Sequence, residues 1–190
     1  MYYKIGLSTP CGHITEENFA SFRAAGLSVM EISDGMEGYA CFDYARARTL
    51  ADKYGVKLTV NSDYFRKNNL HSLNLVRNKI NNSYIVPCDI WCAKNPFSKT
   101  ELHSWYMLSN QTSPESLVRV NRKNEIAIDH KSGKGNEMVG IAYLIEPESE
   151  VVKENLKLMD ETHPNDFWES TLVNNDKLIL AAKMIDSNEY

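Results

Sequence analysis

The 190-residue sequence predicts an α/β fold with a mixed, mainly parallel sheet flanked by helices. Two observations support this prediction. Residues 1–61 alternate between short apolar runs and amphipathic stretches in the order β-α-β-α-β, which gives parallel strands. Beyond about residue 55 the alternation gives way to a pattern with a predicted hairpin, which adds antiparallel strands. We expect one α/β domain over residues 1–190, since a chain of this length can bury a sizeable core.

Capping residues delimit the first elements. Strands are predicted over residues 4–9, 28–33 and 56–61, and helices over residues 15–26 and 43–55. Thr15 and Asp43 each offer a side-chain oxygen to the unpaired N–H groups at the start of a helix. Gly26 and Gly55 suit the left-handed backbone that commonly ends one. The two helices therefore have predicted bounds at both ends.

The later elements are less regular. The pattern predicts a loop and helix over residues 62–80, a strand over 83–91, a helix over 98–110, a hairpin from 116–121 to 125–130, a strand over 139–145, a helix over 146–162, a short helix over 165–173 and a last strand over 177–185.

Composition excludes several classes of protein. The net charge of −4 and the sequence pI of about 5.8 argue against nucleic acid as a partner, because phosphate-backbone binding favours a basic surface. There is no apolar run of about 18 residues and no signal-peptide pattern, so we expect no membrane association. Four Cys in a chain of this length do not form a disulfide scaffold. We expect a cytoplasmic protein with reduced thiols.

Asp89 directly follows an apolar run, "SYIVPC", that is predicted to be a buried strand. The carboxyl ends of parallel strands are where open α/β sheets bind their ligands. A carboxylate there suits Mg²⁺, which proteins usually hold by one or two carboxylates together with substrate phosphates. The alternative is a turn Asp that caps the next segment, and both interpretations stay open. Glu169, in "DFWE", offers a second carboxylate, although the sequence alone gives no reason to pair it with Asp89.

Aromatic residues and cysteines supply two further candidates. Several aromatic side chains near a carboxylate can form a cage for a quaternary ammonium, although core packing accounts for most of them. The candidates are Trp91, Trp105, Tyr106, Phe167 and Trp168. Cys88 and Cys92 have a C-x3-C spacing with no second Cys or His pair at zinc-ligand distances, which favours core thiols over a zinc site.

Five segments together are similar to a known enzyme family. "KYGVKL", "NNLHSLNLV", "NNSYIVPCDIWCAKNPF", "GNEMVGIAYL" and "DFWE" resemble the bacterial CTP:phosphocholine cytidylyltransferases over roughly residues 53–190. That family belongs to the nucleotidyltransferases that also make sugar nucleotides. The resemblance implies a Rossmann-like mixed sheet of the nucleotide-diphospho-sugar transferase type. It also implies transfer of a cytidylyl group from CTP to phosphocholine or a related phosphomonoester, with release of pyrophosphate.

The resemblance also assigns site residues and a cofactor. Asp89 matches the family's catalytic, Mg²⁺-binding Asp, and Glu169 falls at a second metal ligand where the family has Asp. Asn69 and Ser72 match the family's "N-x-x-S" helix start beside the nucleotide. Phe167 matches an aromatic residue of the choline pocket. With the other flanking aromatics this gives the expected substrate-binding set of Asn69, Ser72, Trp91, Phe167 and Trp168.

The N-terminus departs from the family pattern. The family begins with a strand and a Gly-rich, basic loop that wraps the triphosphate. The corresponding loop here, "STPCGHITEE", has one Gly and no Lys or Arg, and Glu16 and Glu17 are expected to repel a triphosphate. A further pocket Trp of the family falls near Ser116. These departures predict an impaired cytidylyltransferase, or a non-catalytic remnant.

Residues 1–60 resemble a second family. "KIGLST", "ITEENFASFRAAGLSVMEIS" and "DYARARTLADKYGVKL" are similar to the start of sugar phosphate isomerase/epimerases of the xylose-isomerase-like TIM barrel. We therefore interpret the chain as a possible chimera of an isomerase-like segment over residues 1–60 and a nucleotidyltransferase-like segment over residues 61–190. A sugar isomerase activity is the alternative function, although a TIM barrel needs about 250 residues.

Overall fold

The structure is a computed structural model. It describes residues 6–10, 14–24, 29–33, 43–63, 66–87, 90–129, 133–173 and 178–190. Among these residues, no helix is both long and apolar enough to span a membrane.

The first part of the chain forms a parallel sheet with connecting helices, as predicted. Strands β1 (Gly6–Pro10), β2 (Val29–Ser33) and β3 (Lys57–Leu58) lie in the order β1-β2-β3, and both pairs are parallel. Helices α1 (Glu16–Ala24) and α2 (Tyr44–Tyr54) connect them. The predicted third strand over residues 56–61 is reduced to two residues.

The predicted caps hold the two helices in place. Thr15 Oγ1 accepts an N–H from the first turn of α1 at 3.2 Å, and Asp43 Oδ1 accepts one from α2 at 2.9 Å. Gly55 ends α2 with a φ of 65°, in the left-handed region. Gly26 lies outside the described residues. The facing sides of α1 and α2 bury a small apolar core that includes Phe19, Phe22, Ala47, Leu50 and Ala51.

The second part of the chain forms a four-stranded mixed sheet. Its strands lie in the order β4 (Ser83–Ile85), β8 (Gly135–Leu144), β5 (Trp105–Ser113) and β9 (Ala181–Ile185). Strand β8 is antiparallel to both β4 and β5, whereas β9 is parallel to β5. The predicted hairpin is confirmed as the antiparallel pair β6 (Val118–Val120) and β7 (Ile126–Ile128). The predicted mixed α/β class with flanking helices is confirmed.

Three helices accompany this sheet. They are α3 (Asn69–Leu75), α4 (Glu148–Thr162) and the short α5 (Ser170–Val173). A 3₁₀ turn over Arg77–Lys79 follows α3. The helices α4 and α5 cover one face of the sheet, because Val152, Leu156 and Leu172 pack into the same core as β5 and β8.

The helix predicted over residues 98–110 is wrong, because residues 105–110 belong to the strand β5. Residues 105–109 are all buried. A strand that is covered on both faces gives a continuous apolar run, which periodicity cannot distinguish from a buried helix. Alternate side chains of β5 enter different cores: Tyr106 and Leu108 face α4 and α5, whereas Trp105 and Met107 lie in the core of the other face.

Candidate functional site

Glu169 lies in the turn that leads into α5, and its carboxylate points into the protein. Oε1 accepts a hydrogen bond from the Tyr106 hydroxyl at 3.4 Å. Oε2 is buried and has no hydrogen-bond partner in the described part of the chain. Burial raises the pKa of this carboxyl, and hydrogen bonds from the Glu169 backbone, Tyr106 and Trp168 only partly oppose the rise. An acidic group with one unpaired oxygen is therefore held at the edge of the core.

Tyr106 connects Glu169 to the central strand β8. Its side chain is completely buried, and its hydroxyl accepts the Gly140 N–H at 2.7 Å while donating to Glu169. Burial, reinforced by the charge of Glu169, raises the Tyr106 pKa well above its usual value. The phenol therefore keeps its proton and acts as a donor toward Glu169.

Gly140 lets the chain that follows β4 approach this pair. Its φ is +91°, and a Cβ at this position would lie 2.6 Å from Pro87 Cγ and 3.4 Å from Glu169 Oε1. Pro87, Gly140 and Glu169 are therefore mutual neighbours. Asp89 follows Pro87 by two residues in the sequence, but the predicted site residue itself lies outside the described residues.

Asn69 joins the start of α3 to the turn that carries Glu169. Its Oδ1 accepts the backbone N–H of Trp168 at 2.9 Å. The Trp168 ring packs 5.8 Å from the Tyr106 ring and is 3% exposed, so it is a core residue, whereas its neighbour Phe167 is 61% exposed. The structure thus brings together four of the predicted site residues, which are Asn69, Phe167, Trp168 and Glu169.

Ser72 and Trp91 have different surroundings. Ser72 Oγ accepts a hydrogen bond from Asn61 Nδ2 at 2.9 Å, which ties α3 to the segment after β3. Trp91 is 72% exposed. Of the other aromatic candidates, Trp105 is buried beneath the Lys183 ammonium, which lies 4.1 Å from its ring centre, in a core separate from that of Tyr106. Core packing therefore accounts for Trp105, and it takes no part in a shared cage with Tyr106.

A buried polar network beside Asn69 was not predicted from the sequence. His71 Nδ1 lies 2.7 and 2.9 Å from the two carboxylate oxygens of Asp160, which also accept from Asn74 at 2.8 Å and from Lys67 at 3.2 Å. Burial by itself raises the pKa of Asp160, but the hydrogen bonds from these three partners outweigh it and lower the pKa. His71 and Asn74 are three residues apart and therefore lie on one face of α3, whereas Lys67 reaches Asp160 from the segment before the helix.

Lys53 offsets part of the negative charge at the start of α1. Its ammonium pairs with Glu16, which also accepts from the Tyr54 hydroxyl at 3.1 Å. The hydrogen bond from Lys53 is the main reason that the pKa of Glu16 is lowered. Glu16 is therefore partly neutralised rather than fully available to repel an anion. Residues 11–13 of the same loop lie outside the described residues.

Of the two carboxylates that are predicted to bind Mg²⁺, the structure describes only that of Glu169. In the described ranges no group of three or more His, Cys, Asp or Glu side chains is arranged to hold a metal ion. Glu169 fits a hard cation, because its buried Oε2 has no partner in the described part of the chain and Mg²⁺ prefers carboxylate oxygens. Cys92 is a partly buried free thiol, and Cys88 lies outside the described residues.

The chain is similar to known cytidylyltransferases in sequence and in fold. No protein-family model matches it. It is 27% identical over 146 residues to a choline-phosphate cytidylyltransferase of Streptococcus pneumoniae, and the match covers 72% of this chain but only 59% of that protein. A solved structure of the CTP:phosphocholine cytidylyltransferase from Streptococcus pneumoniae aligns with a TM-score of 0.71 at 19% identity, over 100% of this chain and 92% of that one. At that identity the structural likeness establishes a shared fold.

The comparisons support the predicted resemblance to choline-phosphate cytidylyltransferase. The resemblance of residues 1–60 to sugar isomerases, the chimeric origin and the division at residue 60 stay predictions. The structural alignment covers 100% of the chain and so includes these residues.

Proposed function

We propose that this protein is a nucleotidyltransferase that transfers a cytidylyl group from CTP to phosphocholine or a related phosphomonoester and releases pyrophosphate. The similarity to a choline-phosphate cytidylyltransferase over most of the chain supports the reaction class. The observation that carries the proposal is the buried Glu169 carboxylate near Pro87, two residues before Asp89; among the described residues its Oε2 has no hydrogen-bond partner.

Asp89 and Glu169 would hold Mg²⁺ in this proposal. A buried carboxylate that lacks a compensating partner is unfavourable, and a divalent cation supplies that partner. When bound by these residues, the cation would neutralise charge on the phosphates. Glu in place of the family's Asp is one methylene longer, and its Oε1 is held by Tyr106.

The helix α3 would position the nucleotide. Asn69 and Ser72 are fixed by hydrogen bonds to Trp168 and Asn61, so the start of the helix has a defined place relative to Glu169. Such positioning lowers the barrier by holding the two reacting phosphates in line. The exposed rings of Phe167 and Trp91 offer faces for a quaternary ammonium group.

The loop after β1 would make the enzyme a weak binder of triphosphate. It lacks the basic residues of the family's loop, and Lys53 is occupied by Glu16. We therefore propose slow turnover with a high KM for CTP. A cytoplasmic location and the absence of nucleic-acid and membrane partners stay predictions from the sequence.

A thermal-shift titration with Mg²⁺ and CTP, followed by a pyrophosphate-release assay with phosphocholine, tests the function. A ligand at about 100 times its Kd adds about 2.7 kcal/mol to stability. We expect a rise in Tm with CTP that needs Mg²⁺ and exceeds the rise with ATP, and pyrophosphate release that needs phosphocholine. Asp89→Ala should lose both responses and keep the Tm of the ligand-free protein.

Two results would contradict the proposal. A flat response to every nucleotide would mean a non-catalytic remnant. A selective response to a sugar phosphate, with isomerase activity and no requirement for nucleotide, would favour the alternative function predicted from residues 1–60.

A further inference from the structure

The Tyr106 hydroxyl has a fixed direction. The Gly140 N–H donates to it at 2.7 Å, so one acceptor position of the oxygen is occupied and its own proton must point away from the backbone. Glu169 Oε1, at 3.4 Å, is the acceptor that the structure offers to that proton. The backbone of β8 therefore orients the phenol, and the phenol is directed at one oxygen of the carboxylate.

This arrangement makes the two oxygens of Glu169 unequal. Oε1 is engaged by Tyr106, whereas Oε2 is buried and has no partner among the residues that the structure describes. A buried polar atom without a hydrogen bond is costly and is rare in native proteins. The unpaired oxygen therefore points to a partner that lies outside the described residues.

The backbone at Gly140 is required for the arrangement. A Cβ there would overlap Pro87 Cγ at 2.6 Å and approach Glu169 Oε1 at 3.4 Å. With a φ of +91°, the glycine brings its N–H to Tyr106 and also leaves room for the segment before Asp89. Gly140 thus fixes the orientation of the Tyr106 hydroxyl and also allows the segment at Pro87 to approach β8.

We propose that Tyr106 is a positioning residue that holds Glu169 by Oε1 so that Oε2 is turned toward a divalent cation. The proposal rests on the proposed function in one respect, which is that Glu169 ligates the cation. Tyr106 itself touches neither cation nor nucleotide, and it acts by restricting the carboxylate to one orientation.

Tyr106→Phe tests this role, because Phe keeps the ring that packs against Trp168 and removes only the hydroxyl. The control is Tyr143→Phe, which removes another buried hydroxyl, one that donates to Asn82 in the core of the other face. Mn²⁺ binding is measured by electron paramagnetic resonance without nucleotide. We expect about a tenfold weaker affinity in Tyr106→Phe and no change in Tyr143→Phe.

A double-mutant cycle with Glu169→Gln separates positioning from a general loss of structure. If Tyr106 acts through Glu169, then Tyr106→Phe has no further effect on Mn²⁺ affinity in the Glu169→Gln background. Infrared difference spectra of Mg²⁺ binding give a second readout on the parent protein. A carboxylate band and a tyrosine C–O band should both shift, and both shifts should disappear in Glu169→Gln, so the test holds even where Tyr106→Phe does not fold.

The outcomes distinguish the two proposals. In the first case the parent binds the cation, Glu169→Gln does not, and Tyr106→Phe binds it as tightly as the parent. If the parent's infrared spectrum also shows no tyrosine band, the positioning role is overturned while the metal site stands. If the parent and Glu169→Gln bind cation equally or not at all, the assignment of Glu169 as a ligand is overturned and the positioning role falls with it.

Discussion

At the scale of single residues, Glu169 combines a structural cost with a proposed use. Its pKa is raised, so the folded protein binds more protons than the unfolded chain between the ordinary carboxyl pKa near 4.5 and the raised value. The stability of the ligand-free protein should therefore fall as pH rises through that interval, by about 1.4 kcal/mol for each pH unit by which the pKa is raised. Above the raised pKa, stability should not fall further through this group.

Glu169→Gln should remove this loss and stabilise the ligand-free protein at neutral pH. Urea unfolding at several pH values between 4 and 8, for the parent and the variant, measures the difference. Glu154→Gln, at an exposed position of α4, is the matched control and should leave the pH dependence as it is. Parallel pH curves for the parent and Glu169→Gln would show that the carboxyl has an ordinary pKa.

Substitutions at Gly140 and Gly133 separate the cost of backbone strain from the cost of steric overlap. Gly140→Ala introduces a Cβ into Pro87 at a φ of +91°, whereas Gly133→Ala introduces one at a φ of +64° with nothing within 4 Å. A non-glycine residue in the left-handed region costs about 1–3 kcal/mol, and only Gly140→Ala adds the steric overlap. We expect the larger loss of unfolding free energy at Gly140, measured by urea titration. Equal losses would mean that Pro87 moves aside freely.

At the scale of elements, α3 and α4 are joined by a network of polar side chains that is largely shielded from water. His71 and Asp160 are 7% and 8% exposed. Because the pKa of Asp160 is lowered, its contribution to stability is present above its unfolded value near 3.8 and is lost as pH falls through the folded value. The stabilising contacts of Asp160 between α3 and α4 should therefore persist throughout the neutral pH range.

Asp160→Asn should destabilise the protein by about 3 kcal/mol at neutral pH, because it leaves His71 and Lys67 beside an uncharged group. The comparison is Asp52→Asn, which removes one partner of the exposed pair with Arg48 and should cost about 0.5 kcal/mol or less. Chemical denaturation at pH 7 measures both variants. A loss for Asp160→Asn as small as that for Asp52→Asn would mean that the network adds little to the packing of α3 on α4.

Local chemistry explains which elements were predictable. The helices α1 and α2 carry their caps in the sequence at Thr15, Asp43 and Gly55, and the hairpin β6–β7 carries its own turn. The strand β5 was mistaken for a helix because cover on both faces removes the alternation of apolar and polar residues. That cover comes from distant segments of the chain, which no local pattern encodes.

Some residues of the candidate site could likewise be predicted from the sequence, and others could not. Glu169 and Asn69 stand in short motifs, and the structure joins Asn69 to the turn that carries Glu169. The roles of Tyr106 and Gly140 depend on contacts between residues that are 34 and 63 positions apart in the chain. From sequence Tyr106 was only one aromatic among several. Its hydrogen bonds exist because β5 and β8 pair, and pairing across such distances has no signature in either strand alone.

At the scale of the whole molecule, the acidic start of α1 is the feature that we expect to oppose the proposed binding of nucleotide. Glu16→Gln removes one negative charge and frees Lys53, whereas Glu17→Gln removes the same charge without affecting that pair. We expect both variants to bind Mg²⁺–CTP more tightly, with the larger gain for Glu16→Gln and a gain that shrinks with added salt. Calorimetric titration at two salt concentrations measures this. Unchanged affinity in both would mean that the triphosphate does not meet this helix.

The pairing of β4 with β8 has a consequence for how the chain is made. Ser83 pairs with Leu144, so the ribosome must add about sixty further residues before β4 meets its neighbour. At about 5–20 residues per second this interval lasts about 3–12 seconds. The parallel unit of β1, β2 and β3 is complete by residue 58 and has no such wait. During synthesis the N-terminal unit therefore has time to form first, and the environment of Glu169, which needs residues of β5 and β8, is assembled later.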